Sequence, residues 1–225
     1  MTIDLWFPTV IYHEDLKPSQ DTKQGMLEYF EEIYDTYSKS DRVEKGSYSG
    51  DNDQDYKMFN DRRFYWLNSE ISFHCKNYLS HFNVDLDKIK IFASKAWPVI
   101  IEKGGQIYKH THPNSVLSVV YYPRTGNALT GGKLKFHSPN THRMPIHVES
   151  HNDLTYGDTQ YVPEEDRLFI FPSHLEHEVE VYLGNTPRYS VSYDIIVTSS
   201  GVKNNNEFAI IAVSYTHLTL PTTWS

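Results

Sequence analysis

Apolar and polar positions change rhythm near residue 89. Before it, two stretches repeat apolar residues at helical spacing. Residues 19–38 place Met26, Phe30, Ile33 and Tyr37 on one face, opposite a face of Glu, Asp and Lys. Ser19 or Asp21 can cap that helix, because each offers a side-chain oxygen to the open N–H groups of the first turn. Residues 64–82 repeat the pattern with Leu67, Ile71, Cys75, Tyr78 and Phe82, and His74 and His81 on the same helix read as ordinary surface or boundary histidines. Residues 5–12 read as a short strand that Pro8 demotes to an edge. Residues 41–62 are rich in Ser, Gly, Asp and Asn and read as one long loop, a place for a lid.

After residue 89 short apolar runs alternate with Gly, Pro and Asn. They predict strands near 89–102, 106–112, 116–122, 132–137, 145–149, 167–172, 177–182 and 188–197, with turns at Gly104-Gly105, Gly126-Asn127, Gly131-Gly132 and Gly184-Asn185. Eight short strands with turn-rich links predict a mainly β fold with flanking helices, a sandwich or jelly-roll barrel. The expected organisation is an N-terminal strand and helices packing on the barrel (1–88), the barrel itself (89–198), and a linker with a foreign-looking tail (199–225). That tail, His217 included, resembles a translated cloning adaptor and takes no part in the functional reading.

Composition narrows the class. At 225 residues, 39% hydrophobic and 14% aromatic, the chain can bury a substantial core, which argues against disorder. A net charge of −8 argues against non-specific binding to nucleic acid or an anionic membrane. Its one cysteine, Cys75, cannot form an internal disulfide and suits a reducing compartment. With no membrane-length apolar run and no secretory leader pattern, the expected location is cytoplasmic.

Eight of the twelve histidines fall between residues 110 and 177. Extended chain points residues i and i+2 to one side, so His110 and His112 can grip one ion together at the mouth of an apolar strand. A third ligand from a remote strand would close one face of a metal's coordination sphere and leave the other open, as a catalytic iron site requires. His177, at the start of a strand, and His174, in the preceding turn, compete for that position; the strand start favours His177. Arg188 opens the next strand. It is either a fixed cation for an anionic co-substrate or a surface partner of Glu178 or Glu180, and a hairpin would set it beside the strand of His177. His137, His142, His147 and His151 read as polar residues of exposed strands and loops.

These residues carry a resemblance. His110-Thr-His-Pro-Asn-Ser-Val-Leu-Ser118 with Tyr121-Tyr122, Gly131-Gly-Lys-Leu-Lys-Phe136, Phe171-Pro-Ser-His-Leu-Glu-His177 and Arg188-Tyr-Ser-Val-Ser192 resemble, in order, the 2-oxoglutarate- and Fe(II)-dependent oxygenases, more narrowly an oxygenase subfamily of marine bacteria and phages. The resemblance implies a double-stranded β-helix (a jelly-roll, cupin-like barrel). It maps His110, His112 and His177 to the metal, Arg188 to the C5 carboxylate of 2-oxoglutarate, and Tyr122, Ser190 and Ser118 to the same pocket. It implies Fe(II), 2-oxoglutarate and O2, with succinate and carbon dioxide released as a substrate is hydroxylated. The substrate class stays open among a protein side chain such as prolyl, a free amino acid and a small metabolite.

The wider superfamily has His-x-Asp or His-x-Glu where this chain has His-x-His. A third imidazole in place of the carboxylate makes the site more positive and suits zinc or copper as well as iron; alternatively, His112 contacts the co-substrate and not the metal. Two other classes remain: a three-histidine, cupin-like metal dioxygenase that uses no keto acid, and a non-catalytic jelly-roll binding module in which His110 and His177 would not converge.

Overall fold

The computed structural model describes residues 7–37, 46–51, 57–140, 149–152 and 155–200. In chain order its elements are β1 (Tyr12–Asp15), α1 (Gln20–Tyr37), β2 (Ser47–Ser49), α2 (Tyr65–Ser80), β3 (Ile89–Ile101), β4 (Ile107–His110), β5 (Leu117–Arg124), β6 (Leu134–His137), β7 (Asp158–Tyr161), β8 (Arg167–Pro172), β9 (His177–Val179) and β10 (Arg188–Ser199). They form two antiparallel sheets, β1-β8-β5-β10-β3-β2 and β4-β9-β6-β7. With both helices on the outer face of the larger sheet, this is the mainly β, jelly-roll barrel that the strand pattern predicts.

Strand parity explains the layering. Successive side chains of a strand leave on opposite faces. On β10, Tyr189, Val191, Tyr193 and Ile195 join the large core with Met26 and Phe30 of α1 and Leu67, Ile71 and Cys75 of α2. The other parity, Arg188, Ser190, Ser192 and Asp194, faces the smaller sheet. β5 divides the same way: Leu117, Val119 and Tyr121 enter the helix-side core, while Tyr122 packs between the sheets with Phe136, Phe169 and Phe171. The larger sheet is thus apolar toward the helices and mixed toward the barrel interior.

Several elements depart from the expected boundaries. The expected strand 5–12 gives β1 only from Tyr12, paired with β8, since Pro8 cannot donate to a ladder. The polar stretch 41–62 is not all loop: Ser47–Ser49 pairs with β3 and ends the larger sheet. Strand 106–112 stops at His110, and strand 177–182 stops at Val179. Most of the expected strand 145–149, like His142, His147 and the tail 201–225, lies outside the described residues. β6 lies between β9 and β7, and the polar Asp-Thr-Gln-Tyr of β7 gives no apolar signal.

The helices follow their stripes. Ser19 Oγ accepts the Thr22 N–H at 3.2 Å and caps α1, as its position predicts. Phe82 lies past the end of α2 and is 48% exposed, so it is not part of the buried stripe. His74 is buried, against expectation: β1 packs over it, and its Nδ1 lies 2.7 Å from the Tyr12 hydroxyl. Among the described residues no helix is long and apolar enough to cross a membrane.

A candidate metal and anion site in the barrel

His110 and His177 are held by backbone. They are register partners in the β4–β9 pairing, which brings their side chains to one place, and their rings lie 4.3 Å apart between centroids. His112 lies two residues past the end of β4, outside any strand. Its backbone N–H donates to the Ser173 carbonyl at 2.9 Å. Its ring stacks on that of His177 at 5.2 Å and 11°. One nitrogen from each of the three histidines lies within 4.8 Å of the others.

The tautomers follow from the partners. His110 Nδ1 is 2.7 Å from the Tyr108 carbonyl oxygen, His177 Nδ1 is 2.8 Å from that of Leu175, and His112 Nδ1 is 3.0 Å from Asp194 Oδ1. Carbonyl and carboxylate oxygens only accept, so each Nδ1 carries its hydrogen and donates. Each Nε2 then keeps its lone pair, the form in which imidazole binds metal. Burial, helped by His110, holds the His177 imidazolium down to about 3, and burial also lowers His110. The donor set therefore fits a transition metal, with the His110 and His177 rings neutral before any ion arrives.

A cavity of about 360 Å³ opens beside these rings. Its lining includes His110, His112 and His177, and beyond them Ser118, Tyr122, Leu134, Arg188 and Ser190. Ser47 and Ser49 of β2 and Asp51 also line it; the polar stretch thus reaches the site as an edge strand.

Arg188 is 2% exposed. Its Nη1 donates to the Gly132 carbonyl, and its Nε is buried with no partner. The guanidinium carbon sits 5.5 Å from the centre of the Tyr122 ring. Among the described residues no carboxylate pairs with it, which rejects the surface ion pair with Glu178 or Glu180. The hairpin neighbourhood is also corrected: β9 and β10 belong to different sheets, so Arg188 faces the histidines across the barrel. Burial pulls the guanidinium below its ordinary range, with Tyr122 opposing, while burial raises the Tyr122 phenol. A buried cation without a counter-charge costs several kcal/mol, and an anion entering the cavity would offset that cost.

The remaining candidates separate clearly. Ser190 is buried on the parity of Arg188. Ser118 also lines the cavity, but its hydroxyl donates to Ser173 at 3.0 Å. His174 is exposed and His137 lies by Glu178 on the smaller sheet. Sequence reasoning missed Asp194, which is 7% exposed. Counting in twos from Arg188 through Ser190 and Ser192 reaches it.

Residues 95–194 match the protein family described as "Putative 2OG-Fe(II) oxygenase". No curated protein matches the chain. Among solved structures it is similar to a prolyl hydroxylase from Trichoplax adhaerens in complex with a hypoxia inducible factor peptide fragment (16% identity, 83% of each chain, TM-score 0.55). It is similar to a Pseudomonas putida prolyl-4-hydroxylase (12% identity, 84% of this chain and 93% of that one, TM-score 0.53). A third is HygX from Streptomyces hygroscopicus with nickel and 2-oxoglutarate bound (9% identity, 83% and 82%, TM-score 0.55). Identities this low speak to a shared fold.

Proposed function

Residues 95–194 belong to the 2OG-Fe(II) oxygenases, and on that premise we propose that His110, His112 and His177 hold the iron and Arg188 binds the C5 carboxylate of 2-oxoglutarate. The chain is a 2-oxoglutarate-dependent oxygenase, with Fe(II) and 2-oxoglutarate as its cofactors. When bound, these supply the oxidising chemistry: O2 is consumed, the keto acid is decarboxylated to succinate, and the substrate gains a hydroxyl group.

The protein's own residues do the rest. The three Nδ1 donations aim three Nε2 lone pairs into one space, and three protein ligands leave positions open. Arg188 offers a rigid fork to a carboxylate from a buried position, where a charge-assisted bond is stronger than in water. Tyr122 and Ser190 add hydroxyls to the same pocket, and Ser118 is the lesser candidate because its hydrogen is directed to Ser173. Ser47, Ser49 and Asp51 border the cavity and fit a polar substrate, either a protein side chain or a small molecule. A reducing, cytoplasmic setting suits both Fe(II) and a lone buried Cys75. The observation that carries the reading is the buried, unpartnered Nε of Arg188 in the same cavity as the three imidazoles.

Anaerobic Fe(II) titration with and without 2-oxoglutarate tests it. A visible metal-to-ligand charge-transfer band that needs both components, and is lost in His177→Ala, is the expected result. One observation favours a second reading: no carboxylate stands among the three ligand candidates. Metal bound at one equivalent with no such band would point to a three-histidine dioxygenase that uses no keto acid.

A further inference from the structure

His110 and His177 need no help to converge, because the β4–β9 ladder fixes both backbones. His112 has no ladder. Its backbone N–H is tied to the Ser173 carbonyl, and its ring is held by a cluster of side chains around Asp194. Asp194 Oδ1 accepts from His112 Nδ1 at 3.0 Å and from Ser115 Oγ at 3.2 Å. The Ser115 hydroxyl also lies 2.8 Å from Ser173 Oγ. One carboxylate thereby ties the loop of residues 111–116 to β10 at two points.

Local backbone delivers Asp194 to that place. The β10–β3 register slips between Asp194 and Ile195, where Lys95 pairs with Asp194 and Ala93 with Ile195. The extra residue on β3 is Ser94, and its hydroxyl donates to the Asp194 carbonyl at 3.2 Å. A bulge next to a site re-aims a side chain. Asp194 is nearly buried, and its hydrogen-bond partners in this network are His112 and Ser115.

From this geometry we infer that Asp194 is the positioning residue of the metal site: it orients His112 and lends the three-imidazole face the negative charge that its ligands lack. This rests on the iron site proposed above. A carboxylate behind a metal-bound imidazole fixes its tautomer and raises its basicity, and losing such a partner typically weakens metal binding about 10–100-fold. Asp194 does not touch the metal position, and Arg188 lies six residues away along β10, so 2-oxoglutarate affinity at saturating metal should stay as it is.

The test uses the full chain with Asp194→Ala and Asp194→Asn, each also in a His112→Ala background, and Co(II) as the probe. The dissociation constant comes from competition with a chelator. Asp194→Ala should weaken Co(II) about 10–100-fold. Asp194→Asn, which keeps an acceptor but no charge, should fall between it and wild type. Neither should weaken Co(II) further once His112 is Ala, as couplings through one shared residue require. Equal losses in both backgrounds, or no loss in either, would overturn the inference.

A second readout needs no metal. Long-range 1H–15N spectra of the metal-free protein should show His112 in the Nδ1–H tautomer, and Asp194→Ala should mix it. A wild type that binds no Co(II) yet shows this tautomer change would sink the iron site and leave the positioning role standing. A His112 tautomer that ignores Asp194→Ala, in a variant with a native circular dichroism spectrum, would refute the positioning role itself.

Discussion

Replacing Arg188 by Met separates a structural arginine from one kept for a ligand. A buried arginine in a native ion pair leaves an uncompensated partner when removed, which costs about 3–5 kcal/mol. Among the described residues Arg188 has no such partner. What the change removes is a cation whose burial costs several kcal/mol and one bond to the Gly132 carbonyl, and an unsatisfied carbonyl costs about 1–3 kcal/mol. The Met variant without ligand should therefore be no less stable than wild type. The ligand-dependent part runs the other way. At one hundred times its dissociation constant a ligand adds about 2.7 kcal/mol. A chain of this size gains about 2–4 °C in Tm per kcal/mol, so 2-oxoglutarate should raise the wild-type Tm by about 5–10 °C. The assay is anaerobic thermal unfolding with Mn(II), with and without 2-oxoglutarate. Wild type should shift and Arg188→Met should not. A Met variant that loses several kcal/mol without ligand, or one that keeps the full 2-oxoglutarate shift, would refute the reasoning.

Three further outcomes follow from described geometry. Gly132 has φ +67°, and a Cβ there would lie 3.1 Å from Arg188 Nη1 and 3.0 Å from Tyr182; Gly132→Ala should cost more than about 1 kcal/mol and weaken 2-oxoglutarate binding, read by calorimetry. Asn68 accepts from the Tyr193 hydroxyl at 2.8 Å and donates to the Phe59 carbonyl at 2.9 Å, tying α2 to β10; Asn68→Ala should cost about 1–3 kcal/mol in urea unfolding and leave 2-oxoglutarate affinity unchanged. For pH, His177 is held to about 3 when folded against 6.5 ordinarily, so the unfolded chain binds the extra proton between these values. Metal-free stability should fall as pH drops from 6.5 toward 3, by up to about 1.4 kcal/mol per unit from this group, and a His177→Gln variant should show a shallower slope in the same titration.

Much of the fold was legible because its long strands carry their own signal. β3, β5, β8 and β10 bury one or both faces, and their Val, Ile, Phe and Tyr runs mark them. β2 and β7 were not legible. Ser-Tyr-Ser and Asp-Thr-Gln-Tyr become strands because β3 and β6 offer open ladders, and nothing local says so. Of the candidate site, the histidines were found by spacing, since β4 continues nearly to His112. The relation of His177 to Arg188 was misread: eleven residues of separation suit a hairpin, yet the chain crosses from one sheet to the other. Asp194 was lost inside an apolar run, where a single carboxylate reads as an edge charge until the parity from Arg188 is counted. The burial of His74 came from β1, whose position the sequence left imprecise.

His110 and His177 sit opposite each other in the β4–β9 pairing, whereas His112 stands on a loop tied down by the Ser173 carbonyl and by Asp194. The three imidazoles are thus mounted in two ways. A substitution in the loop can change what position 112 offers while the sheets keep their register, whereas one that shifts the backbone at His110 or His177 disturbs a strand pairing. On the proposed iron site, the charge and aim of the third position can therefore vary at little cost to folding.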